Sequence, residues 1–337
     1  MKKIAIIGSG LSGLTLAKWL KTDFEVTVFE KARGAGGRLA TRREENFQFD
    51  HGAQYFTART DAFKRFLEPF LDNGVVQQWA PKHVQINGTE IEHENHWARE
   101  EPRYVGVPGM NSVAKQLAQN IQIEVNTKIT SLLRHDKWQL TDENGKIYEN
   151  YDWVISTLPA PQAIELLPPE FDSYQQIKNI EMSGCFSLML GFDKALPMKF
   201  EAAHISNSDL SWLAVNSHKP GRQNLFTLMI HSSEAYAANN MDANRERVMQ
   251  HLIQKTSEII GYDANEAVHK TIHGWRYANN VVRASHPAFI DRDMNLGACG
   301  DWCVGGRVEG AFTSAFNLFN ACLLYTSPSP RDGLLAR

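Results

Sequence analysis

"IAIIGSGLSG", residues 4 to 13, sets a glycine-rich loop directly behind an apolar run. Gly-x-Gly-x-x-Gly alone is a weak signal, because glycine-rich chains produce it by chance, so its flanks decide what it means. Residues 3 to 7 read as a buried parallel strand, and residues 11 to 20 as a helix carrying Leu11, Leu14, Leu16, Ala17 and Leu20. Residues 25 to 30, Glu-Val-Thr-Val-Phe-Glu, read as a second strand ending on an acid. Strand, glycine turn, helix, strand and acid, in that order, make a dinucleotide-binding unit. Gly8 permits the tight turn, Gly10 lets backbone approach a pyrophosphate, and Gly13 lets the helix close on the strand. The phosphates then meet unpaired N–H groups at the helix start. Glu30, seventeen residues past Gly13, is placed to accept hydrogen bonds from an adenosine ribose and disfavours a 2′-phosphate there.

Two further segments extend this site. In "KARGAGGRLATRR", residues 31 to 43, Gly34, Gly36 and Gly37 form a flexible turn between Arg33 and Arg38. A guanidinium there can pair with a pyrophosphate, and a solvated basic loop is the plainer reading. In "GACGDWCVGGRVEGAF", residues 297 to 312, a strand from Leu296 to Cys299 leads to Asp301, a glycine-rich turn and a helix from about Glu309 to Leu324. An acid at such a strand end can bind a sugar-alcohol hydroxyl, and a helix N-terminus beyond it favours an electron-rich ring. A reduced flavin needs that partner at its N1–C2=O edge, whereas a plain NAD-dependent dehydrogenase has no use for it. The loop at residue 8 therefore reads as one end of an FAD site held by widely separated segments.

Composition agrees with an ordinary globular protein. The 337 residues are enough for two domains, and 35 Lys+Arg against 38 Asp+Glu give a net charge of −3, with nothing to suggest a nucleic-acid or membrane-surface binder. Cys185, Cys299, Cys303 and Cys322 lack the spacing of a zinc site and read as core thiols. No segment has the roughly 18 uninterrupted apolar residues of a membrane span, so a cytoplasmic protein is expected. Along the chain, residues 110 to 120 and 242 to 260 read as helices. Residues 129 to 157 read as a meander followed by the strand Trp153 to Thr157, and 185 to 192 and 225 to 231 as strands.

"IAIIGSGLSGL", "FEKARGAGGRLATRR", "FDHGAQYFTAR", "YVGVPGMNSVAKQLA", "STLPAPQA", "HGWRYA" and "GDWCVGGRVEGAF" together resemble the renalase family, flavoproteins distantly related to the monoamine oxidases. The resemblance runs from Met1 to about Phe312. It implies an α/β fold of p-hydroxybenzoate-hydroxylase type, a Rossmann-type FAD-binding domain interleaved with a smaller α+β substrate domain. The expected division gives 1–75, 104–170 and 273–324 to the first domain and 76–103 and 171–272 to the second. It implies oxidation of dihydro-NAD(P) isomers, carrying the hydride at ring position 2 or 6, with O2 reduced to hydrogen peroxide. It also implies FAD contacts at Ser12, Glu30, Lys31, Arg38, Ala53, Gln54, Ile129, Asp301 and Val308, beside Gly8, Gly10, Gly13 and Gly37 from the loops. A substrate pocket is implied around Tyr55, Phe56, Thr57, Ala58 and Arg59, with His231 and Trp275.

The residues suit that chemistry. Hydride transfer from a dihydropyridine needs no base, because the product pyridinium has no proton to remove; it needs a flat slot and good orientation. Tyr55, Phe56, Trp275 and Tyr277 offer stacking surfaces, and Arg59, Arg276 and Arg283 offer phosphate partners. Tyr55 and Phe56 read equally as core aromatics, His231 as a core histidine, and Trp302 as packing. An amine oxidase of the same fold and a non-catalytic flavoprotein are the alternatives. The chain departs from the family pattern at Ala315, which follows Ser314 where glycine is usual and threatens to crowd a flavin contact, and at Gly274, which stands where a cation is common. His51 stands where an apolar residue is frequent, and residues 325 to 337 read as a non-native or disordered tail.

Overall fold

A computed structural model describes residues 1–97, 101–222, 225–282 and 284–323. The chain divides into two compact units, one built from Met1–Gly37, Ala114–Glu181 and the residues from Val282 on, the other from Arg38–Val113 and Met182–Val281. Residues 38–75, 104–113 and 273–281 pack in the second unit, and 171–181 in the first. Strand pairing keeps these segments in their units. His269–Asn280 is one unbroken strand along Met182–Phe192, so a division at residue 273 would cut it. Likewise the hairpin Arg42–Glu44/Phe47–Phe49 packs Phe47 and Phe49 on Met189 and Met229 of the second unit.

The first unit is a six-stranded sheet in the order Phe289–Asp291, Leu296–Ala298, Trp153–Ser156, Lys3–Ile7, Glu25–Phe29, Gln122–Glu124. All neighbours run parallel except the first pair. Parallel strands covered on both faces need continuous apolar runs, which is why residues 4 to 7 lack alternation. The helices Leu11–Leu20 and Val308–Leu323 pack over this sheet, bringing Leu16 and Leu20 together with Ala315 and Leu318 in one buried cluster. A three-stranded antiparallel meander, Ile129–Arg134, Trp138–Asp142 and Ile147–Tyr151, completes the unit.

The second unit is a seven-stranded sheet in the order His269–Asn280, Met182–Phe192, Phe226–Ser232, Leu210–Val215, Ala202–Ser206, Lys82–Asn87, Glu90–His96. One face carries Phe186, Leu188, Leu190, Leu213, Leu228 and Ile230 against Val248, Leu252 and Ile253 of the helix Arg245–Ile260. That helix starts three residues later than its apolar pattern suggests. Asn244 caps it, its side chain accepting a 3.1 Å hydrogen bond from Arg247 N, and Gly261 at φ 73° ends it. The alternation that buries one face sends Ser187, Met189, Met229 and His231 to the other.

Candidate functional site

In the first unit the opening loop takes its shape from backbone geometry. Gly8 has φ 105° and its N–H donates to Phe29 O at 2.8 Å, turning the chain sharply off the strand Lys3–Ile7. A Cβ on Gly13 would lie 2.0 Å from Gly8 O, so no other residue fits where helix and turn close. A Cβ on Gly10 would meet nothing within 4 Å, and Gly10, the N-cap of the helix, offers no side-chain cap. Uncapped N–H groups beside open space are the arrangement that a pyrophosphate completes. Glu30, directly after the strand Glu25–Phe29, is buried and fixed. Its Oε2 accepts from Ser9 N at 2.9 Å and Ser9 Oγ at 2.6 Å, its Oε1 from Ala32 N at 2.8 Å. Gly36 N donates to Ser9 O at 2.9 Å, which ties the second glycine turn, with Gly37 at φ 52°, to the first.

Ser12 is buried, with Oγ donating to Ala311 O at 2.8 Å, so it joins the helices Leu11–Leu20 and Val308–Leu323. Lys31 is exposed and its Nζ donates to Gln162 Oε1 at 3.3 Å; Ile129 is buried at the start of the meander. Asp301 is buried, and its carbonyl accepts from Val304 N and Gly306 N, both at 2.9 Å. Gly305 and Gly306, at φ 99° and 78°, then turn the chain into the helix that Val308 begins. Ala315 is fully buried in the apolar cluster of this unit, so its methyl fills core space. Ser314 is held by its own bonds, Oγ donating to Pro287 O at 2.6 Å and accepting from Gly300 N at 3.0 Å. Trp302 is packing, as its sequence reading allows: fully buried, stacked 5.8 Å from Phe289, with Nε1 donating to Leu158 O at 2.9 Å. Cys185, Cys299 and Cys303 are buried, and burial pushes the thiols of Cys185 and Cys303 up to about 12.

The remaining candidates lie in the second unit. Sheet register builds a row across its other face: His204 pairs with Trp212, Trp212 with His231, His231 with Ser187, and Ser187 with His273. Residues 50 to 56 lie over that row. His51 O accepts from Ser187 Oγ at 2.7 Å and Trp275 Nε1 at 2.8 Å, and the His51 ring stacks 5.3 Å from Trp275. His51, unassigned from sequence, is thus an anchor for the loop. Burial holds its imidazole down to about 4, with His273 and Arg42 adding to the effect. Ala53 N donates to Arg38 O at 2.8 Å, Arg38 Nη1 donates to Ala278 O at 3.0 Å, and a Cβ on Gly52 would meet Arg38 O at 2.0 Å.

Tyr55 is half-buried among indoles, its ring 4.8 Å from Trp97, 5.6 Å from Trp212 and 6.5 Å from Trp79. Burial raises its phenol above the usual value, against the pull of Arg103, whose guanidinium lies 5.0 Å from the Trp97 ring centre. Phe56 is a core residue, 4% exposed, bridged to Tyr104 by backbone hydrogen bonds and packed on Phe63. Thr57 and Ala58 are half-buried beside it, and Arg59 is exposed, with Nε 2.9 Å from Glu101 Oε1. Arg276 is exposed and paired with Asp242 at 2.5 Å, and Arg283 lies outside the described residues. Beside Gly274 stands Arg245, whose Nη2 would be 3.0 Å from a Cβ there.

Beneath the loop lies a group of charges that the sequence does not advertise. Asp50, Lys219 and Arg222 are all buried. Asp50 Oδ1 accepts from Thr41 Oγ1 at 2.8 Å and Met110 N at 2.9 Å. Its Oδ2 accepts from Arg222 Nε at 3.1 Å and from Arg222 Nη2, with Lys219 Nζ at 3.7 Å. Burial alone would push the Asp50 carboxyl up; Lys219 and Arg222 outweigh it and hold the group below the usual carboxylate range. Two cations against one carboxylate leave one positive charge in excess, and burial pulls Lys219 down to about 7 despite Asp50. Lys219 and Arg222 flank Pro220 and Gly221 in a stretch that reads as an ordinary turn, so no local pattern marks either as buried. Asp50 carries a hint only in hindsight, as an acid at the end of the apolar Phe47–Phe49 strand.

The two-unit architecture, the uncapped glycine loop and the acid that closes it define a nucleotide-binding oxidoreductase of flavin type, and the residues present fit FAD. The family profile "Flavin containing amine oxidoreductase" matches residues 58–317, and a "NAD(P)-binding Rossmann-like domain" matches residues 6–70. The chain belongs to the flavin-containing amine oxidoreductase family and is an FAD-dependent oxidoreductase. It is similar to renalase of Mus musculus, 22% identical across 96% of this chain and 100% of the mouse protein. Among solved structures it shares the fold of a candidate protoporphyrinogen oxidase of Exiguobacterium sp. (TM-score 0.76, 13% identity, 96% of this chain and 99% of that one). A putrescine oxidase double mutant matches at a TM-score of 0.70, 10% identity and the same coverages. Among the described residues no helix is long and apolar enough to cross a membrane.

Proposed function

We propose that this protein oxidises isomeric dihydro-NAD(P), carrying the hydride at ring position 2 or 6, to NAD(P)+ with O2 as the final acceptor and hydrogen peroxide as the by-product. When bound, FAD supplies the hydride acceptor at N5 and the route for the electron pair to O2. In this reading the residues that hold the cofactor are Gly8, Gly10, Ser12, Gly13, Glu30, Lys31, Gly37, Arg38, Ala53, Gln54, Ile129, Asp301 and Val308. Tyr55, Thr57, Ala58, Arg59, His231 and Trp275 receive the substrate. Phe56 supports them from the core.

The observation that carries the reading is the chemistry of the sheet face. It offers flat aromatic surface at half-buried Tyr55, which packs on buried Trp212, while burial keeps His231 of the sheet and His51 of the covering loop from taking up protons, holding them down to about 3 and about 4. Lys219, which titrates near neutrality, has its side chain fully buried. Such a face orients a ring and shields it from water, and it has no need to remove a proton. The test is anaerobic mixing of the yellow holoprotein with each dihydro-NAD(P) isomer, normal NADH and simple amines, followed in the flavin's visible band. Rapid bleaching by the position-2 or position-6 isomers alone is expected, with one peroxide formed per turnover on admitting air. Bleaching by amines alone would assign amine oxidation instead, and no bleaching by any of them would leave a flavoprotein without this activity.

A further inference from the structure

Gln54 sits where every neighbour but one has a fixed hydrogen-bonding sense. Its Oε1 accepts from Trp212 Nε1 at 3.3 Å and from Lys219 Nζ at 3.1 Å. An indole N–H can only donate. Its Nε2 donates to two backbone carbonyls, Asp50 O at 2.5 Å and Gly52 O at 3.1 Å, which can only accept. The amide therefore has one possible orientation, with the NH2 end turned toward its remaining neighbour, His231 Nε2, 3.4 Å away.

An NH2 group facing an imidazole nitrogen requires that nitrogen to be unprotonated, because an N–H there would point at two donor hydrogens. The single imidazole proton must then sit on Nδ1. Nδ1 has no hydrogen-bond partner among the described residues, and His231 is only half-buried, on the sheet face described above. The imidazolium form is opposed by burial, then by Lys219 and His51. Lys219 in turn lies 5.2 Å from the Trp79 ring centre, held between that ring, Gln54 and Asp50, with Arg222 satisfying the carboxylate from its other side.

We propose that Gln54 is a positioning residue: clamped by Trp212 and Lys219, it holds His231 as a neutral imidazole with its proton on Nδ1. The sheet face thereby offers a hydrogen-bond donor, and neither a cation nor a base, to the carbonyl oxygen of a substrate's carboxamide. The tautomer assignment stands on the protein alone, and the choice of a carboxamide rests on the dihydro-NAD(P) reading. A neutral donor suits a ring that leaves the site as a cation, since an imidazolium would repel the pyridinium product.

The experiment is nitrogen NMR of the holoprotein labelled with 15N-histidine, the His231 signals being assigned by their loss in His231→Phe. A protonated Nδ1 and an unprotonated Nε2 are expected throughout the neutral range. A proton on Nε2, or an imidazolium near neutral pH, would overturn the proposal. Gln54→Leu is expected to leave a mixture of tautomers, and Lys219→Met to raise the pH at which His231 protonates; an unchanged His231 spectrum in both would remove the clamp. NAD+ is then added, its binding followed by perturbation of the flavin band. Movement of the His231 Nδ1–H resonance, with about tenfold weaker binding in His231→Phe, is expected for one lost hydrogen bond. NAD+ that binds without touching that resonance would overturn the carboxamide contact. Dihydro-NAD(P) that fails to bleach the flavin would instead defeat the functional reading while the tautomer measurement stands.

Discussion

The two units build their candidate sites by opposite means. In the first unit most of the work is done by backbone: Gly8, Gly10 and Gly13 act through what they lack, while Glu30 bonds Ser9 and Ala32 close by in sequence and the Thr157 hydroxyl donates to Gly8 O at 2.9 Å. In the second unit the work is done by side chains from distant segments. Trp212 and His231 pair on neighbouring strands, and the loop segments that carry Gln54 and Lys219 meet them there. The first kind of site tolerates no added atom. The second tolerates shape changes better but depends on charge balance and on each polar group finding its partner.

Gly13→Val tests the first half of this contrast and has the largest expected effect. Its Cβ would fall 2.0 Å from Gly8 O, so helix and turn must separate, at a cost above about 3 kcal/mol and with loss of bound FAD. The flavin-to-protein absorbance ratio and a thermal melt read both, and a yellow, stable variant would break the backbone half of the comparison. Asp50→Asn tests the second half. It leaves Arg222 and Lys219 buried without a counter-charge and is expected to cost about 3–5 kcal/mol by denaturant unfolding. A loss below about 1 kcal/mol would mean that the buried charges are stabilised by something other than this carboxylate.

The pH dependence of stability follows from the same unit, with a smaller effect. Folded His51 and His83 are held down to about 4 from 6.5. Between those values the unfolded chain binds protons that the folded chain does not, so stability rises with pH and is lost as pH falls through that window. Lys219, lowered from 10.5 to about 7, acts in the same direction above neutrality, since only the unfolded lysine keeps its proton there. A melting temperature that climbs from mildly acidic to mildly alkaline buffer is expected, and Lys219→Met should flatten the alkaline part alone. The smallest effect belongs to Tyr55→Ala, expected to slow flavin reduction about tenfold by loosening ring orientation while FAD occupancy stays unchanged. Equal loss of both would move Tyr55 from substrate to cofactor.

Legibility in the sequence follows this division. The strand Lys3–Ile7 and the helix Leu11–Leu20 fall where the apolar pattern places them, and the strand Glu25–Phe29 ends one residue short of the acid that was read into it. Their signals are local: a continuous apolar run, three glycines at fixed spacing and an acid at a strand end. Tyr55 and Phe56 look alike in sequence, yet Tyr55 stands half-buried among indoles and Phe56 is core. Adjacent residues in extended chain face opposite ways, and only the partner strands decide which way is inward. Unit boundaries obey the same rule, since His269–Asn280 belongs with the strand it pairs.

What the sequence determined by itself is therefore the dinucleotide cradle, because its physics is local backbone geometry written in glycine positions. The tertiary structure alone decided that Lys219 is buried, that Asp50 and Arg222 balance it, and that Gln54 faces His231 with its NH2 group. Desolvation and hydrogen-bond polarity depend on which surfaces meet across more than 150 residues of chain between Gln54 and its partners, and no spacing rule carries that information.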